Sequence, residues 1–409
     1  MQKHADLRVF SVFFHPSPAV TAVGGAEKRF IETSRVFVEK GLKMVVLEST
    51  PSLLKDGHVF CRVYAQRSLF SAGKGWLTIY LGWVLWILVV CFRSVRLIRR
   101  ERCQLILAPN NTVPNLFPAY FAHVVTRLPL CVITHHMDVM TEESHQNFQT
   151  VYATYRKVGY SSSVSFLKAL AFFAIVRMLR KSDACIAVSN FTARTLVQLG
   201  IASGKIVVSG NGVDLEFIQK FKAGRKKWDA VFVGRVAKEK GVFDILEAWR
   251  EVVLEKGSAR LLVVGSGPDL QGVRAVVDES GLLDNVVVRG RVGDAEMYAL
   301  MKAGRVFVFP SRFEGWGLAV AEALACGLPV VCYDIPALRE VFGECKSVFL
   351  VPLGDVKKLS ATIMGILKME KRDYSELAEL SKDYAGRFGW QEVALKDLQA
   401  IRRLCTLEG

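Results

Sequence analysis

The sequence predicts a two-domain α/β protein in which each half is a doubly wound parallel sheet. Three observations carry this. The chain has 409 residues, which is long for a single hydrophobic core. Short apolar runs alternate with helical periodicity throughout, the pattern of βα units and not of hairpins. The alternation breaks at "NGVDLEFIQKFKAGRKKWD", residues 211–229, where a turn signal at Asn211-Gly212 leads into a lysine-rich polar stretch. With 51% apolar and 23% charged residues, the chain has the composition of a folded globular protein.

In the first half, runs rich in aliphatic, β-branched and aromatic residues predict strands near 7–14, 43–48, 58–63, 104–108, 130–134, 184–188 and 205–208. Between them, helical stretches are expected near 26–40, 76–102, 163–181 and 190–199. In the second half, strands near 229–233, 260–264, 285–289, 306–309, 329–332 and 347–350 alternate with helices near 240–255, 268–280, 294–303 and 317–326. The nine cysteines are scattered without a CxxC pair and sit mostly in apolar runs, so reduced, buried thiols are expected and the cytoplasm is favoured. The polar start, residues 1–8, reads against a signal peptide.

The formal charge of +15 is uneven, because residues 1–215 carry 25 Lys and Arg against 12 Asp and Glu. A basic surplus confined to one half suits either nucleic acid or anionic lipid. The longest uncharged apolar run, residues 76–92, is followed by Arg93, Arg96, Arg99, Arg100 and Arg102. Seventeen residues at about 1.5 Å each give roughly 26 Å, at the lower limit for a hydrocarbon core of about 30 Å. Strands of one sheet are expected on both sides of this helix, so a span would split the sheet across the membrane. An interfacial helix with Trp76, Trp83, Trp86, Arg93 and Arg96 as membrane contacts fits better, and lipid is preferred to nucleic acid. A second apolar stretch, 165–181, ends in Arg177, Arg180 and Lys181 and is either core or a further contact.

Ligands of open parallel sheets bind beyond the carboxyl ends of the strands, so polar and glycine-rich residues there are the candidates. "VGRVAKEKG" (233–241) lies between a strand and a helix. Arg235 and Lys240 either converge on an anion at the helix N-terminus or are ordinary cations of a solvated loop. "LLVVGSGPDL" ends a strand in Gly265-Ser266-Gly267, but the next glycine is Gly272, giving GxGxxxxG and not the dinucleotide spacing GxGxxG. It reads as a tight turn or as a backbone wall beside a nucleotide. In "FVFPSRFEGWGLAVAEALACGLPVV", Glu314, Gly315, Trp316 and Gly317 form a loop ahead of a helix that begins near Leu318. The glycines let backbone amides approach a phosphate, Glu322 can accept hydroxyls of a ribose, and Glu314 can touch the group beyond the phosphates. Alternatively Glu322 is an exposed helix residue and Glu314 an acid favoured by the helix dipole.

These motifs resemble retaining glycosyltransferase family 4. "EGWGLAVAE" is similar to its E-x7-E motif, and "VGRVAKEKG", "LLVVGSGP", "NVVVRGRVGDAEMYALM" and "VFPSRFEG" resemble its other landmarks in order. "GGAEKRFIETSRVFVEKG" and "VSNFTARTLVQLGIASGKIVVSGNGVD" extend the resemblance over the first half. It implies a GT-B fold: two Rossmann-like domains facing across a cleft, at 1–212 and 213–386, with a final helix within 387–409 crossing back to the first. It assigns Arg235 and Lys240, with Gly25, Gly317 and Leu318, to the donor diphosphate. Glu322, Gly265, Arg289 and Gly290 fall to the nucleoside, and Glu314, Gly315 and Trp316 to the sugar. Glu314 and either His135 or His136, in "VITHHMDV", stand at the reacting centre, where the family has one histidine.

The implied activity is retaining transfer of a mannose- or glucose-like hexose from a nucleoside-diphosphate sugar to a lipid or lipid-linked glycan. It is expected at the cytoplasmic face of a membrane, with no cofactor and, lacking Asp-x-Asp or a His/Cys cluster, no required metal. A sugar-nucleotide epimerase of the same fold and a noncatalytic membrane-bound scaffold are the alternatives.

Overall fold

The computed structural model describes residues 7–14, 24–49, 61–66, 76–137, 147–157, 159–221 and 224–406. It divides into two compact units, Met1–Gly210 with Trp390–Gly409, and Asn211–Gly389.

The first unit runs β1 (Arg8–Phe13), α1 (Gly25–Glu39), β2 (Lys43–Glu48), β3 (Cys61–Ala65), α2 (Trp76–Glu101), β4 (Leu105–Ala108), α3 (Val113–Thr126) and β5 (Leu130–Thr134). It continues with α4 (Phe148–Lys157), α5 (Ser162–Lys181), β6 (Ala184–Ala187), α6 (Asn190–Gln198) and β7 (Ile206–Val208). The seven strands pair in parallel in the order β3-β2-β1-β4-β5-β6-β7. Period-two alternation splits its core into two layers. Phe10, Val12, Val45, Leu47, Ile106 and Val132 face α2 to α6. Val9, Phe13, Met44, Val46, Leu107 and Ile133 face α1 and the last helix.

The second unit runs α7 (Leu215–Gln219), β8 (Trp228–Val233), α8 (Val242–Glu255), β9 (Leu261–Val264), α9 (Leu270–Glu279), β10 (Val286–Gly290), α10 (Asp294–Lys302) and β11 (Gly304–Phe309). Then come α11 (Leu318–Ala325), β12 (Val330–Tyr333), α12 (Pro336–Phe342), β13 (Val348–Val351), α13 (Val356–Leu367) and α14 (Lys371–Ala385). Its parallel sheet has the order β10-β9-β8-β11-β12-β13, the chain winding outward one way from β8 and the other way from β11. Both sheets are therefore doubly wound and wholly parallel, as the alternating pattern predicts.

The last helix, α15 (Trp390–Thr406), packs in the first unit through Ala394, Leu398 and Ile401. Its Asp397 forms a fully buried ion pair with Arg29 of α1 at 2.8 Å, and Arg29 also donates to Ser209 Oγ at 2.7 Å. The strand expected at 58–63 begins only at Cys61 among the described residues. Six helices were not anticipated. In one of them, α3, Pro114 stands in the first turn, where a missing N–H costs nothing, and Pro118 is carried inside the helix.

Candidate functional site

In the second unit, four adjacent strands end in loops that bond to one another through backbone. Gly234 N donates to Val264 O at 3.1 Å, Val236 N to Ser266 O at 3.1 Å, and Gly265 N to Gly290 O at 2.8 Å. Arg312 N donates to Glu239 O at 2.8 Å, tying in the loop after β11. Gly265 has φ of +139°, and a Cβ there would stand 1.8 Å from Gly234 O. Only glycine lets these two loops approach so closely, so the Gly-Ser-Gly sequence is needed for loop packing before any ligand is considered.

Lys240 ends a short 3-10 turn, Lys238–Lys240, and its Nζ lies 2.6 Å from Glu314 Oε1, with the two side chains 20% and 14% exposed. Arg235 pairs with Glu239 and is largely exposed. Gly317, with φ of +103°, caps α11, and a Cβ would fall 2.5 Å from Leu338 Cδ2. A left-handed glycine thus opens the helix whose first residue is Leu318, and its carbonyl accepts from Val320 N at 3.0 Å and Ala321 N at 3.2 Å, so the amides that helix geometry leaves over at this end are those of Leu318 and Ala319. One turn further on, Glu322 is buried and accepts the Tyr298 hydroxyl at 2.8 Å. Burial, and then the neighbouring Glu322 carboxylate, push the Tyr298 phenol far above its ordinary range, so it stays protonated and donates to that carboxylate. Its ring packs against Phe217 and Phe221.

Two expected side-chain contacts, those of Trp316 and Arg289, are placed differently. The Trp316 ring is buried edge-on against Phe342 and Phe388, centroids 5.5 and 5.0 Å away, so its side chain packs the core instead of presenting a sugar platform. Arg289 is exposed and holds Glu296 at 2.8 Å, while the carbonyl of Gly290 is bound to the β9 loop. Glu322 is buried, which removes the exposed-helix alternative. Tyr298 was not anticipated; the sequence offers only a tyrosine on the buried face of α10, and nothing there points to Glu322.

In the first unit, Gly25 opens α1 and is exposed, with Gly24 as its extended N-cap. His135 and His136 follow β5. Asn111 holds them: its Nδ2 donates to His136 O at 2.9 Å, and its Oδ1 accepts from His135 N at 3.4 Å. Asn110 Oδ1 accepts from Thr112 N at 3.0 Å and from Asn115 Nδ2 at 3.0 Å, while Asn115 Oδ1 accepts from Phe14 N at 2.7 Å. The ends of β1, β4 and β5 are thereby fixed together. These asparagines are absent from the sequence expectations, although a polar "NNTVPN" directly after a buried strand marks them. His135 Nε2 lies 3.3 Å from Pro109 O, and because a carbonyl only accepts, Nε2 carries the proton and Nδ1 the lone pair. Burial, reinforced by the charge of Arg29, lowers His135 to about 3, so the ring is neutral at physiological pH. His136 is exposed.

Of the expected membrane contacts, Trp86 is overturned. It is 1% exposed, packs on Phe14 and donates its indole N–H to Gln66 O at 2.7 Å, so it belongs to the core face of α2. Arg93 binds Ala65 O at 3.1 Å, Arg96 is exposed, and the side chains of Trp76 and Trp83 lie outside the described residues. The outward face of α2 is instead Val84, Leu85, Leu88, Val89 and Phe92, the last 71% exposed. Among the described residues one helix, Ser162–Lys181, is long and apolar enough to cross a membrane, and 33% of its apolar window is buried. It joins β5 to β6 of one sheet, which argues against a span. Among the described residues no group of three or more His, Cys, Asp or Glu is placed to hold a metal ion.

Two doubly wound parallel sheets, with a glycine-built loop cluster at the carboxyl ends of the second, match the architecture of the GT-B glycosyltransferases. Anabaena HepE, solved in complex with UDP and glucose, shares this fold, with a TM-score of 0.71, 18% identity, and coverage of 96% of this chain and 98% of that one. Residues 213–383 match the family model of glycosyl transferases group 1, and residues 23–217 that of glycosyltransferase family 4. Together the two models span most of the sequence, and the chain belongs to this group 1 and family 4 class of GT-B glycosyltransferases. The chain is 34% identical over 161 residues to a 2-deoxystreptamine N-acetyl-D-glucosaminyltransferase of Streptomyces fradiae, covering 39% of this chain and 38% of that protein. It is 24% identical over 248 residues to the GDP-mannose:cellobiosyl-diphosphopolyprenol alpha-mannosyltransferase of Xanthomonas campestris, covering 60% of this chain and 62% of that protein. The matched stretches thus span less than two thirds of either relative.

Proposed function

We propose that the protein is a retaining glycosyltransferase that moves a mannose- or glucose-like hexose from a nucleoside-diphosphate sugar to a lipid or lipid-linked glycan, at the cytoplasmic face of a membrane. The observation that carries this reading is the single loop cluster that holds Lys240, Glu314, the first turn of α11 and Glu322. Lys240, Arg235 and the α11 amides provide positive charge where a leaving diphosphate gains negative charge, and fixed charge is worth most where charge develops. Glu322, held by Tyr298, accepts ribose hydroxyls. Glu314 accepts hydroxyls of the transferred sugar, and backbone at Gly265 and Gly290 flanks the base. His135 supplies a neutral imidazole for the sugar. Retention follows from attack on the face the diphosphate leaves, with that diphosphate taking the acceptor's proton. No metal or cofactor is needed for these steps.

HepE binds UDP and glucose, and the Xanthomonas relative uses GDP-mannose and a diphosphopolyprenol acceptor by its name, which supports a nucleotide-sugar donor and a lipid-linked acceptor here. The basic first half and the exposed apolar face of α2 support attachment to an anionic leaflet. The test is a panel of nucleotide sugars with membrane lipid extract as acceptor. Release of free nucleoside diphosphate with an anomerically retained product is expected. An altered nucleotide sugar would identify an epimerase, and turnover of no donor a scaffold. Separately, the protein should pellet with anionic vesicles at low salt, and recovery in the supernatant would overturn the membrane reading.

A further inference from the structure

All helices that return between parallel strands run antiparallel to them, so α2, α3 and α5, which pack side by side in one layer, end at the same edge of the first unit. The outward face of α5 carries Phe166 and Leu170, 51% and 54% exposed, and then, at helical spacing, Phe173, Arg177 and Lys181. At its C-terminal end a recess of about 530 Å³ opens against α6. Val176 and Leu199 floor it, Phe173 walls it, and Arg177, Arg180 and Lys181 rim it, with no acid in the lining. Arg180 is built into place, because its Nε donates to Leu199 O at 2.7 Å. Its guanidinium also lies against Gly200. Arg177 and Lys181 have no partner among the described residues.

We propose that this recess between α5 and α6 is a headgroup site for an anionic phospholipid, with the phosphate among the three cations and the first acyl carbons over Phe173 toward Leu170. Cations at a helix C-terminus are favoured by the dipole in any case. What the dipole does not explain is an apolar, acid-free recess beneath them, of a size suited to a small ligand, continuous with an exposed apolar stripe. The ligand class follows from that pairing: an inorganic anion uses the rim alone, whereas a phospholipid uses both rim and floor. The proposal rests on the reading that the first unit meets a membrane, but it is independent of donor turnover.

The test uses the full chain and dihexanoylphosphatidylglycerol below its micellar concentration, titrated calorimetrically, alongside flotation with phosphatidylcholine vesicles with and without phosphatidylglycerol. Saturable binding of one lipid per chain is expected, weakened at least tenfold in R177E/K181E. The variant K371E/R372E makes the same charge change on the second unit and should leave binding intact. Circular dichroism and the thermal midpoint check that each variant is folded, and R177Q/K181Q provides a milder version. The proposal is overturned if binding does not saturate, if both charge-reversal variants weaken it equally, or if inorganic phosphate displaces the lipid at equal concentration. If the short-chain lipid binds while vesicles do not, the recess stands and the membrane reading falls.

Discussion

The Lys240 ammonium and the Glu314 carboxylate, 74 residues apart in sequence, lie 2.6 Å from each other in the loop cluster of the second unit. The two groups assigned to opposite ends of the donor therefore hold one another, and a donor would draw Lys240 to the diphosphate and Glu314 to the sugar. Lys240→Ala and Glu314→Ala should each lower kcat/KM by about 10²-fold, the range found when one preorganised charge-stabilising group is removed. Because the two residues pair with one another, the double variant should lose less than the product of the two, which a double-mutant cycle on donor turnover measures. Undiminished transfer in either single variant would refute the assignment.

Tyr298 donates to Glu322 at 2.8 Å, and under the ribose role proposed for Glu322 it would act through that carboxylate. Tyr298→Phe keeps the ring against Phe217 and Phe221 but removes the hydroxyl that orients the carboxylate. The expected outcome is a several-fold rise in donor KM with kcat nearly unchanged, and a stability loss of about 1 kcal/mol. A fall in kcat at unchanged KM would show that Tyr298 has another role.

The Arg29–Asp397 pair is fully buried, so removing one member leaves a charge without its partner. Asp397→Ala should destabilise the protein by about 3–5 kcal/mol, whereas Arg29→Met with Asp397→Leu should cost much less. Urea unfolding followed by fluorescence compares them, with separate transitions for the two units fitted where they appear.

His135 governs a pH dependence whose sign can be worked out. Its folded value of about 3 lies below the ordinary 6.5, so between these values the unfolded chain binds the proton that the folded ring refuses. Stability from this group is complete above about pH 6.5 and is lost progressively as pH falls toward 3. Replacement by asparagine should flatten the stability profile in that window. The His135 ring resonances should show no titration near pH 6.5 by NMR, and an ordinary inflection there would refute the burial argument.

The sheets were readable because a strand buried on both faces must be nearly all apolar, as "LCVIT" and "VFVF" are, and thirteen such runs matched thirteen strands within a few residues. Several charged or proline-bearing helices, α3, α13 and α14 among them, carry no equally sharp signal. At the site, Lys240 and Glu314 were legible from their places at strand ends, since position alone limits what they can face. Trp316 and Trp86 were not. An aromatic residue next to a functional loop or within an apolar helix looks the same in sequence whether it turns outward or inward, and only the neighbours Phe342, Phe388 and Phe14 decide. The Asn110, Asn111 and Asn115 lattice was likewise hidden, because its partners come from three separate strand ends.

The ion pair between Arg29 and Asp397 also bears on the order in which the two units can be completed during synthesis. The second unit is one uninterrupted segment and can close as soon as it leaves the ribosome. The first unit lacks α15, and with it the buried counter-ion of Arg29, until the segment after the second unit emerges. The N-terminal half is therefore made before the second unit but completed after it. During translation it must wait with α1 uncovered and an unneutralised arginine, and a nascent chain arrested before residue 397 would hold a finished second unit beside an unfinished first one.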